Sequence, residues 1–253
     1  VKTGRPIAHY KSIIAYDGTE FHGFQRQAGE RRSVQGELES ALRKLGWAED
    51  AILAAGRTDS GVHAQGQVIA YGLAWAHPVD ALTNAFNALL PADISILGTQ
   101  PCGADFHPRY AARRRRYRYT LLTVQRRDPL RERYAWRVWP PPDVQAMQAV
   151  ADFMVGSHDF GAFGRAPKEG GQTRRQVWEA LWTSMGDQHC FHITADAFLY
   201  RMVRHLVGAM VAVGIGRQSA EKVAGLLEDP QQRWHGLLAP PRGLCLEQVF
   251  YDG

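Results

Sequence analysis

Apolar residues in this chain change period many times, between alternation every second residue and a stripe every three or four. A chain patterned that way has to pack helices against a sheet, because each element has one apolar face that only another element can cover. Ala8 to Tyr16 reads as a strand closed by the turn Asp17-Gly18. Ser33 reads as the cap of a helix with Val34, Leu38, Leu42 and Leu45 on its apolar face and Gly46 as its stop. Short strands are expected at Ile52 to Ala55 and Gln67 to Tyr71, on either side of a glycine-rich loop. Val79, Leu82, Phe86 and Leu89 trace a second helix, ended by Pro91. Arg116 to Val124 predicts a strand with Tyr117, Tyr119 and Leu121 on one face and arginines on the other. Pro140-Pro141-Pro142 reads as an internal hinge, after which Asp143 caps a helix carrying Val144, Met147, Val150 and Met154. Gly164 to Thr173 is loop-like and basic. Strands at Val177 to Ser184, His189 to Phe198 and Leu244 to Phe250 surround a helical stripe from Leu199 to Met210 and a short helix near Glu221 to Leu227. The fold class is therefore α+β, in two similar halves joined near residues 100–140.

With 253 residues, 45% of them hydrophobic, the chain can bury a core without staples. Cys102, Cys190 and Cys245 lie far apart with no C-x-x-C between them, which points to a reducing, cytoplasmic compartment. Val1 to Pro6 has no apolar core of a leader, and Leu206 to Gly216 falls well short of the ~20 residues a membrane helix needs. The expectation is a soluble protein with no membrane partner. Net charge is +5, and 25 of the 30 basic residues are Arg. Between Arg109 and Arg137 there are 11 Arg against Asp128 and Glu132, a local balance of +9, so the remainder of the chain is mildly acidic. A basic stripe on an acidic body is the footprint of a polyanion binder, and Arg suits bidentate phosphate contacts.

Three constellations could carry chemistry. Gly56 to Ala64 (GRTDSGVHA) leaves a short strand with glycines on both sides, holding a carboxylate and a guanidinium at its tip. Asp59, Ser60 and His63 are the residue types of a hydrolase triad, but three members within five residues of one loop rarely reach the required geometry, and no G-x-S-x-G surrounds Ser60. His189, Cys190 and His192 alternate across a strand, and no carboxylate or Cys pair completes a metal site there, so no metal is expected. Arg113, Arg114, Arg115 and Arg116 precede Tyr117, combining phosphate neutralisation with a surface on which a base can stack. Arg204 lies beside the apolar stripe and can be drawn inward, where it needs a carboxylate such as Asp59, which the pairing would keep ionised.

These stretches resemble the tRNA pseudouridine synthase A family over essentially the whole length. The resemblance runs through Tyr16 to Thr19, Phe21 to Gln27 and Ser33-Val34-Gln35, then the most specific part, Gly56 to Val68 (GRTDSGVHAQGQV). It continues through Phe106 to Tyr110, Arg116 to Tyr119, Gly156 to Phe160, Met202-Val203-Arg204 and Gly243 to Leu246. Ser60 stands where the family usually has Ala, and Cys245 where an aromatic residue is common. The resemblance implies an isomerase that converts uridine to pseudouridine at positions 38, 39 and 40 of the tRNA anticodon arm, without cofactor or metal. It places the nucleophile at Asp59, the active-site aromatic at Tyr117 and the ion-pairing arginine at Arg204. Arg57 would fill the gap left by the flipped nucleotide, and Leu246 would contact the substrate. Arg109, Arg113, Arg114, Arg115 and Arg116 would bind RNA. The implied fold is two ferredoxin-like (RRM-like) halves, residues 1–104 and 105–253, forming one mostly antiparallel sheet with flanking helices and a central cleft. The implied assembly is a homodimer. An RNA-binding module without activity, and a hydrolase using Ser60 and His63, stay open as alternatives.

Overall fold

Alternating burial along β1 (Ala8–Tyr16) sets the first layer: Tyr10, Ser12, Ile14 and Tyr16 point into the core, while Ile13 reaches solvent. The computed structural model describes residues 6–252 except 28, 30, 169 and 230; Val1 to Arg5, read above as free of a leader-like run, lie outside the described residues. Two compact units are formed, Val1–Arg113 with Leu246–Gly253, and Arg114–Cys245. Among the described residues no helix is long and apolar enough to cross a membrane. The class is α+β, as the alternation of periods indicates, and the strand pairing is mostly antiparallel, as the family resemblance implies.

In the first unit α1 (Val34–Lys44) begins where Ser33 Oγ accepts the Gly36 N–H at 3.3 Å. β2 (Leu53–Ala54), β3 (His63–Leu73), α2 (Val79–Leu89) and β4 (Ile94–Pro101) follow. β1 pairs antiparallel with β3 on one side and β4 on the other. Leu38, Leu42, Leu82 and Phe86 on the two helices are fully buried. α1 stops at Lys44, one residue before the expected Leu45, and Gly46 takes up the chain at φ +93°. β3 starts four residues earlier than the apolar run suggests and so contains His63; Ala64, Gln65 and Gly66 have no strand preference of their own and are held by their neighbours. β4 escapes the sequence reading because only Ile94 and Ile96 of its eight residues are buried.

The second unit opens with β5 (Arg114–Leu122), β6 (Trp136–Arg137), α3 (Val144–Asp152) and β7 (Gly156–Asp159). It continues through β8 (Arg174–Met185), β9 (Gln188–Ala195), α4 (Met202–Gly214) and α5 (Ala220–Gly225). The antiparallel order is β5-β9-β8-β7, with β6 parallel to β5. β5 begins two residues before the expected Arg116, so Arg114 and Arg115 are strand residues and only Arg113 precedes the strand. Asp143 caps α3 by accepting the N–H groups of Gln145 (2.8 Å) and Ala146 (3.1 Å). The proline run, a hinge by composition, lies inside this unit: Pro142 is buried and the Asp143 N–H donates to Gly214 O at 2.8 Å. The last strand, β10 (Leu244–Phe250), coincides with its sequence reading, and its residues from Leu246 onward belong with the first unit, where Gly66 of β3 meets Glu247 O.

α4 is buried around nearly its whole circumference, so the expected single stripe understates it. A Cβ on Gly208 would come within 1.9 Å of the Leu237 carbonyl oxygen. Gly208→Ala is expected to destabilise the fold by about 3 kcal/mol, whereas Gly98→Ala, which has nothing within 4 Å, should stay within about 1 kcal/mol of the parent. Urea denaturation of both variants checks this; equal midpoints would show that the α4 helix yields at that contact.

Candidate active site

The loop 56–62 between β2 and β3 carries Arg57, Asp59 and Ser60, and its shape comes from bonds made by the residues around Asp59. At its base the fully buried Gln67 donates from Nε2 to Gly56 O at 3.0 Å. Thr58 is buried: its hydroxyl lies 2.8 Å from the Tyr16 hydroxyl, and its carbonyl accepts the Phe24 N–H at 3.0 Å. Ser60 Oγ donates to Phe21 O at 3.1 Å, and the Val62 N–H closes a turn on Asp59 O at 3.1 Å. Asp59 thus sits half-buried between two pinned neighbours, with Arg57 exposed beside it.

The segment that pins it is Tyr16 to Phe24, and two glycines let it come close. A Cβ on Gly18 would stand 2.0 Å from Val62 O. Gly23 adopts φ +91°, a left-handed conformation that side chains disfavour, with Thr58 O 3.0 Å from where a Cβ would be. Asp17 Oδ1 accepts from the Thr19 N–H (3.0 Å) and hydroxyl (2.6 Å), forming the short turn over Gly18 to Glu20. The Gly18 N–H in turn donates to His63 Nδ1 at 3.0 Å, and Asp17 Oδ1 lies 3.2 Å from that nitrogen. Residue-type reasoning offered His63 as a triad member; it is instead a buried strand residue bracing the loop. Ser60 is likewise bonded to a backbone carbonyl, so the hydrolase arrangement has no support in this geometry. The bracing roles of Tyr16, Gly18 and Gly23 escaped residue-type reasoning, although the Tyr-Asp-Gly turn beside the strand was its visible trace.

In the second unit Tyr117 pairs with Ile193 across β5 and β9 and meets Phe198 edge-on at 4.9 Å. It is half-buried. Arg204 occupies the first turn of α4 with 8% of its surface exposed. Its Nε donates to Ala239 O at 2.7 Å, and the Ala239 N–H donates back to Arg204 O at 3.1 Å, clasping the segment that leads into β10. Arg201, which caps α4, holds φ +62°, strained for a residue with a side chain. Tyr119 is fully buried beneath the same segment, donating to Pro240 O at 2.8 Å. Burial pushes its phenol far above the ordinary range, while Arg204 and Arg242 pull the other way, so it remains a neutral donor. Leu246 is buried where β10 rejoins the first unit.

The basic window divides. Arg116 is bonded to Thr194 (3.1 Å) and paired with Glu179 (3.0 Å), and Arg115 donates to Asp196 O at 2.7 Å. The Arg114 guanidinium lies 5.6 Å from the Trp178 ring centre. Arg131 forms a two-pronged pair with Asp187, and Arg137 pairs with Glu132 at 3.2 Å. Arg109 and Arg113 are exposed. Glu179 and Asp187, from outside the window, therefore offset only two of its nine net positive charges, and most of the expected stripe keeps its charge. His189 bonds Ser184 (2.7 Å) and Thr123 (3.2 Å), and burial holds its pKa below the ordinary value. Among the described residues no group of three or more His, Cys, Asp or Glu is placed to hold a metal.

If the Tyr16–Thr58 hydroxyl pair fixes the loop, Tyr16→Phe and Thr58→Val should each cost about 1–2 kcal/mol. In a double-mutant cycle the two losses should fail to add. Urea unfolding of the four proteins measures this, and strict additivity would mean that the hydroxyls act independently.

Comparison with known proteins follows these landmarks. A family model described as tRNA pseudouridine synthase matches residues 13–111 and 150–252. The tRNA pseudouridine synthase A of Halalkalibacterium halodurans is 43% identical over 91% of this chain and 88% of its own. That of Moorella thermoacetica is 41% identical over 95% and 98%, and that of Bacillus subtilis 39% over 96% and 98%. With the braced Asp59 loop and matches of this extent, the chain belongs to the tRNA pseudouridine synthase A family.

Proposed function

We propose that this enzyme isomerises uridine to pseudouridine at positions 38, 39 and 40 of the tRNA anticodon arm, with Asp59 as nucleophile. The observation that carries the reading is the Asp59 loop: both flanking residues are bonded to the Tyr16–Phe24 segment, which presents one carboxylate on a preorganised backbone. The reaction breaks the N1–C1′ bond of uridine, turns the uracil and joins C5 to C1′; the C5 proton is then lost and N1 takes up a proton. Substrate and product are isomers, so the step needs no oxidant, reductant or cofactor. Asp59 attacks C1′ or C6; Tyr117 stacks on the uracil and assists removal of the C5 proton. Arg204 is the ion-pairing arginine of the reaction, and Leu246 lines the substrate site. Arg57, exposed at the loop tip, fills the space vacated by the flipped nucleotide. Arg109 and Arg113 to Arg116 hold RNA, and the enzyme works in the cytoplasm as a homodimer on a substrate much longer than one subunit.

Asp59→Asn keeps the shape of the side chain but removes the nucleophile. Pseudouridine formation, mapped by carbodiimide adducts on anticodon-arm RNA, should fall to background while tRNA affinity stays within a few-fold of the parent. Ser60→Ala should keep most activity, because its hydroxyl serves a backbone carbonyl. Turnover by Asp59→Asn free of deamidation, or loss of activity in Ser60→Ala, would sink the assignment.

Binding should weaken steeply with salt. A complex neutralising about 6–10 phosphates loses roughly 10³–10⁵ in affinity between 50 and 200 mM salt, by analogy with duplex DNA. Arg109→Ala with Arg113→Ala should reduce the log–log slope by about 1.5. An unchanged slope would remove these two arginines from the RNA contact.

A further inference from the structure

Tyr110 is 78% exposed, which is unusual for so large a ring on a turn that is otherwise firmly built. The Tyr110 and Ala111 N–H groups both donate to His107 O, at 3.1 and 2.9 Å, and the Arg109 N–H donates to His107 Nδ1 at 3.2 Å. Beneath the turn Pro108 is buried, and its carbonyl accepts the Tyr251 hydroxyl at 3.1 Å. Phe106 packs on Tyr251 with ring centres 5.2 Å apart, and the Lys11 ammonium sits 5.2 and 5.4 Å from the two rings. The Tyr110 ring lies against the His107 imidazole at 4.2 Å and 39°. It is therefore an aromatic surface already supported on one side, and such a ring loses little freedom on gaining a second stacking partner.

Charge indicates what that partner is. Arg109 and Arg113 are both exposed and flank the ring in sequence at the start of the basic window. A symmetric contact between two copies of this turn would bring like charges together, whereas a nucleic acid offers phosphates for the arginines and flat faces for the ring. Bases inside a duplex have no free face, so the partner is an unpaired one. We propose that Tyr110 is a stacking platform for an unpaired base of the RNA substrate, with Arg109 and Arg113 on the adjoining phosphates. This rests on the tRNA reading above and adds to it a residue outside the residues proposed for chemistry.

The probe is an anticodon-arm hairpin, compared with a fully paired RNA duplex of the same length by fluorescence anisotropy at fixed salt. Tyr110→Ala should weaken hairpin binding roughly 5- to 150-fold, leave duplex binding at the parent value, and leave the salt slope unchanged because the lost group is neutral. Tyr110→Phe should bind within twofold of the parent. In turnover assays the Tyr110→Ala KM should rise with the hairpin loss while kcat moves less than threefold. Parent-like hairpin binding by Tyr110→Ala, equal losses on hairpin and duplex, or a Phe variant as weak as Ala would each overturn the platform. So would a loss of dimer, seen by light scattering, that parallels the loss of affinity. A parent protein that binds the hairpin through Tyr110 yet makes no pseudouridine would overturn the isomerase reading and leave the platform standing. Active parent protein with an unaffected Tyr110→Ala would do the reverse.

Discussion

The Asp59 loop depends on how closely the Tyr16–Phe24 segment approaches it. Gly18 and Gly23 have no side chain, so the segment's backbone reaches Val62 and Thr58, and the Tyr16 hydroxyl closes on Thr58 at 2.8 Å. A loop of this kind, rich in glycine and placed between strands, would otherwise sample many conformations. Here Thr58, Ser60 and Val62 each have a named hydrogen bond, so the ordering entropy of the Asp59 loop is met during folding and need not be met again when a ligand binds. His63 extends the same brace into β3 by accepting the Gly18 N–H.

Arg204 shows the same economy in the second unit. A buried guanidinium is costly unless its donors are satisfied, and one of them is satisfied by Ala239 O. The bond serves two ends: it anchors α4 to the segment before β10, and it sets the orientation of the charge. Tyr119 and Gly243 complete the clasp, the tyrosine donating to Pro240 O and the glycine leaving room for its ring. Removing Arg204 would therefore disturb structure as well as charge, which makes Asp59 the cleaner site at which to test chemistry.

Legibility followed the strength of local patterning. Ser33 and Asp143 were readable as caps because their short side chains bond the first free N–H groups of a helix, a purely local event. β1, α2 and β10 have clean periodicity and clear stops, and their bounds match the reading. The start of β3 was not readable, since its residues are recruited by neighbouring strands and not by their own preference, and β4 was not because it buries only Ile94 and Ile96 of its eight residues. The arginines before Tyr117 were seen as a group, but their partners Glu179, Thr194 and Asp196 are more than 60 residues away in sequence.

By itself the sequence determined the α+β class, most helix starts, the basic window and, through the GRTDSGVHAQGQV stretch, the family and the identity of the candidate nucleophile. Tertiary structure alone decided which of the polar candidates serve the scaffold. His63 and Ser60, plausible catalytic types in sequence, became braces because a backbone donor and a backbone acceptor from the Tyr16–Phe24 segment lie within bonding distance of them. Arg116, Arg131 and Arg137, equal to Arg109 and Arg113 in composition, were paired with carboxylates brought to them by the fold. Side-chain type sets what a residue can do, but a hydrogen bond or an ion pair needs two groups within about 3–4 Å, and only the folded chain brings distant residues that close.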